Sequence, residues 1–477
     1  MKRGIMATES KSDTAVASGT AGVDVTHLNS LLKFVETETN FTDDRKYASR
    51  DPNARNYVVD ITRAKSAYNR LETTTRFEEL KLTLPADTFG SFGPASRLKT
   101  LEGGTPISME VALALRKLVT GTTVHKLTQD WMKLGFMFQN ENGPFAYGIY
   151  TQKNGSKGFI LCVQAFILKH LLFRHSRDLD APFDLSLLQP TSWKRRDALI
   201  DALTEILWQA GGKTRCCVAL IQETRCFDLP IGYRQDCLSE YLHLFYFTKF
   251  QELRTCIKTY ISYFEYESSH GALLFLYSLV LSRSIDQVLN DMGEVKYKQL
   301  ITDQEDTSIP LVNLVLTGRA VPFQHNGDQI YDDDGKVLAI PERGIQERSE
   351  IGFMYWHREE KEQHIRAMVG SMYKTPRHPI WITLVNGLYG LLFSVNQHLV
   401  SDWRVEHKFD LYYYTGQATQ TRPTRLSVET RLGRSSHART ALQKSEEEKK
   451  IPPLERCIMT KWFGAHIDWN GTMPYVT

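Results

Sequence analysis

Apolar residues recur every three to four positions in two stretches of the N-terminal half, the spacing of helices that turn one face inward. In LEGGTPISMEVALALRKLVTG, which begins at Leu101, Val111, Leu115 and Leu118 share a face. Thr105 is placed to cap that helix, Pro106 suits its first position, and Gly121 offers a stop. RRDALIDALTEILWQAGG, from Arg195, gives a second such helix with Leu199, Leu203, Ile206 and Ala210 inward and a Gly-Gly end. Between them, TQKNGSKGFILCVQAFILKHLLF (Thr151 to Phe173) is a polar turn feeding a helix apolar on nearly every face, with Lys157 where the helix begins. CCVALIQ, from Cys216, reads as a buried strand.

The stretch from Cys237 to Asn290 predicts several helices, with the aromatics of YLHLFYF and YISYFEY at near-helical spacing and packed in the core. Further on, QIYDDDGKVLAI predicts a hairpin. HPIWITLVNGLYGLLFS predicts a stronger one, because two β-rich runs flank Asn386-Gly387, a favoured type I′ turn pair. KFDLYYY adds another strand. Helices come first and strands gather later, so the expected class is α+β. Residues 1–95 are rich in Ser, Thr, Asp and Lys and lack sustained periodicity, which predicts a partly disordered arm before a domain spanning 96–477. From Thr415 to Lys450 the chain turns polar and then charged, and a mobile surface insertion is expected there.

Composition narrows the function. The 477 residues carry 58 Lys+Arg against 55 Asp+Glu, a net charge of +3, so no field favours nucleic acid. Seven cysteines without a C-x-x-C pair suit a reducing compartment. MKRGIMATESKSD has no apolar core of a leader, and GALLFLYSLVLS, the longest apolar run, is too short for a bilayer. The expectation is an intracellular protein, cytoplasmic or nuclear, with no membrane contact.

Three motifs tempt and fail. YDDDGK puts Ile330 at the first ligand position of a calcium loop and Pro341 where its bidentate Glu belongs. HREEKEQH spaces His357 and His364 seven apart, where a zinc-protease helix needs four. QNENGPF, from Gln139, reaches Phe145 where a cysteine hydrolase would carry its nucleophile. No metal and no organic cofactor is implied.

Several blocks then fall together in order: YGIYTQKNGSKGFILCVQ, LVNLVLTGRAV, VGSMYKTPRHPIWIT, YGLLFS, FDLYYY and PLERCIMTKWFGAHIDWNGT. From about residue 100 to 477 the chain resembles the MINDY family of cysteine deubiquitinases, in the branch of its third and fourth members. The resemblance implies a two-lobed α+β domain distantly like papain. Active relatives read YGIVQ-x-x-GGPCGVLAAVQ in the first block, and ungapped matching puts Lys157 at the nucleophile, Ser156 at the proline and Thr151 at the oxyanion Gln, with Gln152 displaced by one. The family's base, a His after PIW-x6, falls on Leu388. A helix N-terminus stabilises a thiolate but repels an ammonium, and Leu388 cannot carry a proton. Thr151 is too short to reproduce the reach of Gln. The plain alternatives are that Lys157 faces solvent and Leu388 is a core residue.

The resemblance therefore implies a catalytically inactive homologue, a pseudo-deubiquitinase, with ubiquitin or polyubiquitin as the expected partner. The family's preference is for chains linked through ubiquitin lysine forty-eight, and no residue of this chain is singled out for ubiquitin contact. Two other readings stay open. One is an active hydrolase with a rearranged site, in which Cys162, expected to be inert core, would be served by His378 or His398. The other is a scaffold that uses the N-terminal arm and the insertion at 415–450 and does not touch ubiquitin.

Overall fold

Thr105–Pro106 (β1) is extended and pairs with a later strand, so neither residue opens a helix. The first helix, α1 (Met109–Thr120), starts three residues on, where Ser108 in extended conformation accepts the Val111 N–H at 3.4 Å. Ser108 is the stronger cap because Glu110 then falls in the first turn, where the helix dipole favours a carboxylate. Gly121 ends the helix at φ 79°, as its sequence position required. The computed structural model describes residues 103–152, 154–174, 185–294, 298–331, 335–430 and 451–474.

The apolar helix α2 (Lys157–Phe173) is buried from Lys157 to Leu168 and lies between two layers. On one side it meets α3 (Ser192–Ala210), whose Leu199, Leu203, Ile206 and Ala210 are all buried. A three-stranded sheet stands behind α3, with β2 (Cys216–Ile221) and β1 flanking β3 (Leu242–Phe247). YLHLFYF is thus mostly strand. Aromatic residues fit a pleated surface as readily as a helix, and antiparallel partners on both sides decide the outcome. The outer edge of β2 is closed by α4 (Gly271–Arg283): Ser278 Oγ accepts the Ala219 N–H at 2.8 Å, and Ser282 Oγ accepts the Cys217 N–H at 3.0 Å.

On its other side α2 meets a six-stranded sheet, approached through α5 (Ile309–Thr317) and the exposed hairpin of β4 (Asp328–Tyr331) and β5 (Val337–Arg343). Its strands are β6 (Gly352–Trp356), β7 (Ile380–Val385), β8 (Leu388–Phe393), β9 (Lys408–Tyr414), β10 (Thr424–Glu429) and β11 (His466–Asp468). They lie side by side in sequence order, and only β6 and β7 run parallel. Asn386 and Gly387 turn β7 into β8 at φ 48° and 80°, the backbone of a type I′ turn. A cluster around Trp381, Leu392, Leu411, Leu426 and Trp462 fills one face beneath α6 (Pro453–Met459). Helices precede the large sheet, and the α+β class holds.

The expected insertion at 415–450 needs correction. Its first part supplies β10, where Thr424, Leu426 and Val428 alternate inward and polar residues face out. That two-residue period inside a polar stretch is the mark of a strand with one face buried. Residues 431–450 and the arm at 1–95 lie outside the described residues.

Candidate functional site

The turn before α2 is held from a distant loop. Gly155, at φ 65°, donates its N–H to Asp306 Oδ1 at 2.8 Å, and its carbonyl accepts from the Thr307 N–H at 2.9 Å and the Thr307 hydroxyl at 2.8 Å. The same Thr307 oxygen accepts the Phe159 N–H at 3.2 Å, so a side chain 148 residues away does the work of a helix cap. Trp131 Nε1 donates to the Glu305 carbonyl at 2.8 Å and fixes that loop in turn. The local cap is empty. Ser156 contributes no capping bond, and its buried hydroxyl has no partner among the described residues. Nothing in the sequence near Gly155 announces Asp306 or Thr307. The only signal is the Asp- and Thr-rich turn TDQEDTSIP before α5.

Lys157 does not face solvent. Its side chain is 4% exposed, and burial pulls its ammonium down to about 8 with no charged neighbour to oppose the shift. Thr151 lies six residues before it and is engaged elsewhere, its hydroxyl donating to the Thr415 carbonyl at 3.0 Å and its N–H to the Gly416 carbonyl at 3.0 Å. Gln152 is exposed. Leu388 is half-buried at the first position of β8, opposite Val385. The residue of β8 that reaches the start of α2 is Tyr389, whose ring would lie 2.7 Å from a Cβ placed on Gly158. Its hydroxyl donates to the Thr307 carbonyl at 3.1 Å. Glycine at 158 is therefore required by close approach.

Cys162 is fully buried, and loss of solvent pushes its thiol far up. The phenols it influences belong to Tyr373 and Tyr389. His378 stacks on Phe173 at 5.3 Å, eleven residues further along α2, or about 16 Å at the helical rise. His398 belongs to the short turn Gln397–Val400, whose Gln397 lies 3.2 Å from the His378 ring. The structure thus brings neither histidine to Cys162. His378 serves an ion cluster instead, with Glu350 at 3.2 Å, while Lys169 reaches Glu350 at 3.0 Å and Glu205 at 2.5 Å. Those bonds hold the Glu350 carboxyl down to about 2, the one to His378 contributing most.

Among the described residues no group of three or more His, Cys, Asp or Glu side chains could hold a metal ion. None of the described helices is by itself long and apolar enough to cross a membrane.

The conserved domain described as deubiquitinating enzyme MINDY-3/4 matches residues 116–471. The probable ubiquitin carboxyl-terminal hydrolase MINDY-4 of Xenopus tropicalis is 37% identical over 377 residues, covering 79% of this chain and 48% of the relative. Its counterpart in Homo sapiens is 35% identical over 380 residues, with 80% and 48% covered. The ubiquitin carboxyl-terminal hydrolase MINDY-3 of Bos taurus is 26% identical over 324 residues, with 61% and 67% covered. The chain spans about half the length of the MINDY-4 relatives it matches. No solved structure matches.

Proposed function

The chain belongs to the MINDY-3/4 family of deubiquitinating enzymes, and from that membership we propose that it is a member without hydrolase activity that retains ubiquitin or polyubiquitin binding. One observation carries the reading. At the start of α2, where the resemblance puts the nucleophilic thiol, stands the buried amine of Lys157. An amine that attacks an acyl group yields an amide, which does not turn over as a thioester does. The supporting chemistry is missing as well: Leu388 cannot accept a proton, and the Thr151 hydroxyl already donates to a carbonyl. Cys162 offers no substitute, because a thiol this buried is neither ionised nor accessible.

The expected ligand is polyubiquitin, with lysine-forty-eight linkage as the family preference. The seven cysteines are free thiols, which supports a place inside the cell, in cytoplasm or nucleus. The test incubates purified protein with chains of defined linkage and with a thiol-directed ubiquitin probe, and titrates binding in parallel. No cleavage and no labelling are expected, alongside measurable binding. Labelling that Cys162→Ala abolishes would restore the rearranged active site. Absence of binding to any chain would leave the scaffold reading in its place.

A further inference from the structure

A large apolar side chain that reaches solvent singly is ordinary on a folded surface. Four lie together on the hairpin of β4 and β5: Ile330 is 50% exposed, Tyr331 59%, Val337 72% and Ile340 48%. The two strands pair with each other and with no third strand among the described residues. Successive residues of a strand point to opposite faces, so Ile330 and Tyr331 bring apolar surface to both sides of the hairpin. Tyr331 and Val337 are directly opposed across the ladder and share one face. What holds the hairpin is at its base. The Gly327 N–H donates to the Ile345 carbonyl at 2.7 Å, Gln346 Nε2 donates to Asp328 Oδ1 at 2.6 Å, and the Arg343 guanidinium donates to the Asn290 carbonyl. The anchored end fixes the direction of the apolar end, which is the arrangement of a preorganised binding element. From Asp328 to Arg343 the sequence carries five carboxylates against Lys336 and Arg343, a net charge of −3 in a chain whose total is +3. Two such hairpins repel each other, so the partner that fits is apolar and basic.

We propose that the β4–β5 hairpin is the surface on which this chain docks ubiquitin, with the Tyr331 and Val337 face laid against ubiquitin's apolar sheet face. This rests on the proposed retention of ubiquitin binding and gives that reading a place in the fold. Ubiquitin presents an apolar patch ringed by lysine and arginine side chains, the complement of an apolar hairpin in an acidic setting. Tyrosine supplies a large rigid contact at small entropic cost, and valine at its side is stiff about its first torsion, so neither loses much freedom on docking. None of the hairpin residues belongs to the turn before α2, and the contact needs no nucleophile. A patch of this size makes a weak, rapidly exchanging interface, in the class of small transient contacts. Chains then bind more tightly than single ubiquitin because each further unit raises the local supply of ligand at the same hairpin.

The test titrates the full chain with monoubiquitin and with lysine-forty-eight-linked tetraubiquitin, at low and at physiological salt. Beside it stand a double variant, Tyr331→Ala with Val337→Ala, and a control, Trp193→Ala, which removes an exposed aromatic outside the hairpin. Unfolding midpoints and sedimentation are measured on each protein. The double variant should lose roughly tenfold or more in affinity for monoubiquitin with its unfolding midpoint unchanged, and the control should bind as the parent does. Binding by the parent should weaken as salt rises. On the unaltered chain, saturating ubiquitin should slow amide exchange in β4 and β5, a readout that holds even if a variant fails to fold. Equal binding by parent and double variant, with no protection of the hairpin, would overturn the proposal and leave ubiquitin binding to another surface. A parent that dimerises through the hairpin and a double variant that is monomeric would assign the face to a second copy, and would overturn it too. If the parent binds no ubiquitin, the ubiquitin-binding reading falls and takes this one with it.

Discussion

Replacing Lys157 with methionine should make the protein more stable, by an amount that depends on pH. Methionine keeps the length and apolar stem of lysine and removes only the ammonium. In the unfolded chain the amine loses its proton at 10.5, in the folded chain at about 8. At about 1.4 kcal/mol per pH unit that gap corresponds to about 3 kcal/mol. Below pH 8 both states are protonated and the folded state bears the whole penalty. Between pH 8 and 10.5 the unfolded state binds more protons than the folded one, so stability rises with pH, and above 10.5 the penalty is gone. Lys157→Met should therefore exceed the parent by about 3 kcal/mol at pH 7, with the difference shrinking towards zero near pH 10.5. Urea unfolding of both proteins from pH 7 to 10, followed by tryptophan fluorescence, measures it, and the subtraction cancels every group the two share. A difference that stays flat across that range, or a variant less stable at pH 7, would refute a buried, uncompensated amine.

Four further outcomes follow, three from the same site and one from the ion cluster at the far end of α2. Ser156→Ala removes a buried hydroxyl that lacks a partner and should stabilise the fold by about 1 kcal/mol in denaturant unfolding. Thr307→Val keeps the shape but strips the distant cap from α2, and a loss of about 1 to 2 kcal/mol is expected, with faster amide exchange at Phe159. Cys162→Ser places a hydroxyl at a fully buried position and should cost about 1 to 3 kcal/mol, so a near-neutral result would contradict its burial. Glu350 is held down to about 2 by His378 and Lys169, so it stabilises the fold above its usual 4.5 and loses that contribution as pH falls towards 2. The stability gap between parent and Glu350→Gln, followed by acid titration, should close over that window.

The chain's local rhythms foretold its elements wherever the deciding partner lies nearby. The Asn386-Gly387 hairpin and the inward stripe of Leu199, Leu203 and Ile206 involve residues a few positions apart, and both are present. YLHLFYF became strand because its ladders are made with residues more than twenty positions away, Cys216–Ile221 and Thr105–Pro106. The start of α1 moved because Thr105 and Pro106 are recruited by that same remote strand. Lys157 was legible as an odd residue at a helix start but not as a buried one. What covers its turn is the Glu305–Thr307 loop and Tyr389, and neither is marked in the sequence as its neighbour.

The serines of α4 have a consequence for solubility. An outermost strand with vacant amides is a template on which a second molecule can add its own strand, and β2 is among the most apolar segments of the chain. Ser278 and Ser282 stand one helical turn apart, which matches the spacing of alternate amides along a strand, so they occupy Ala219 and Cys217 together. An intruding chain would have to displace a packed helix to reach either of these amides. Ser278 and Ser282 thus complete the cover that the packed helix gives this edge against strand addition by another molecule.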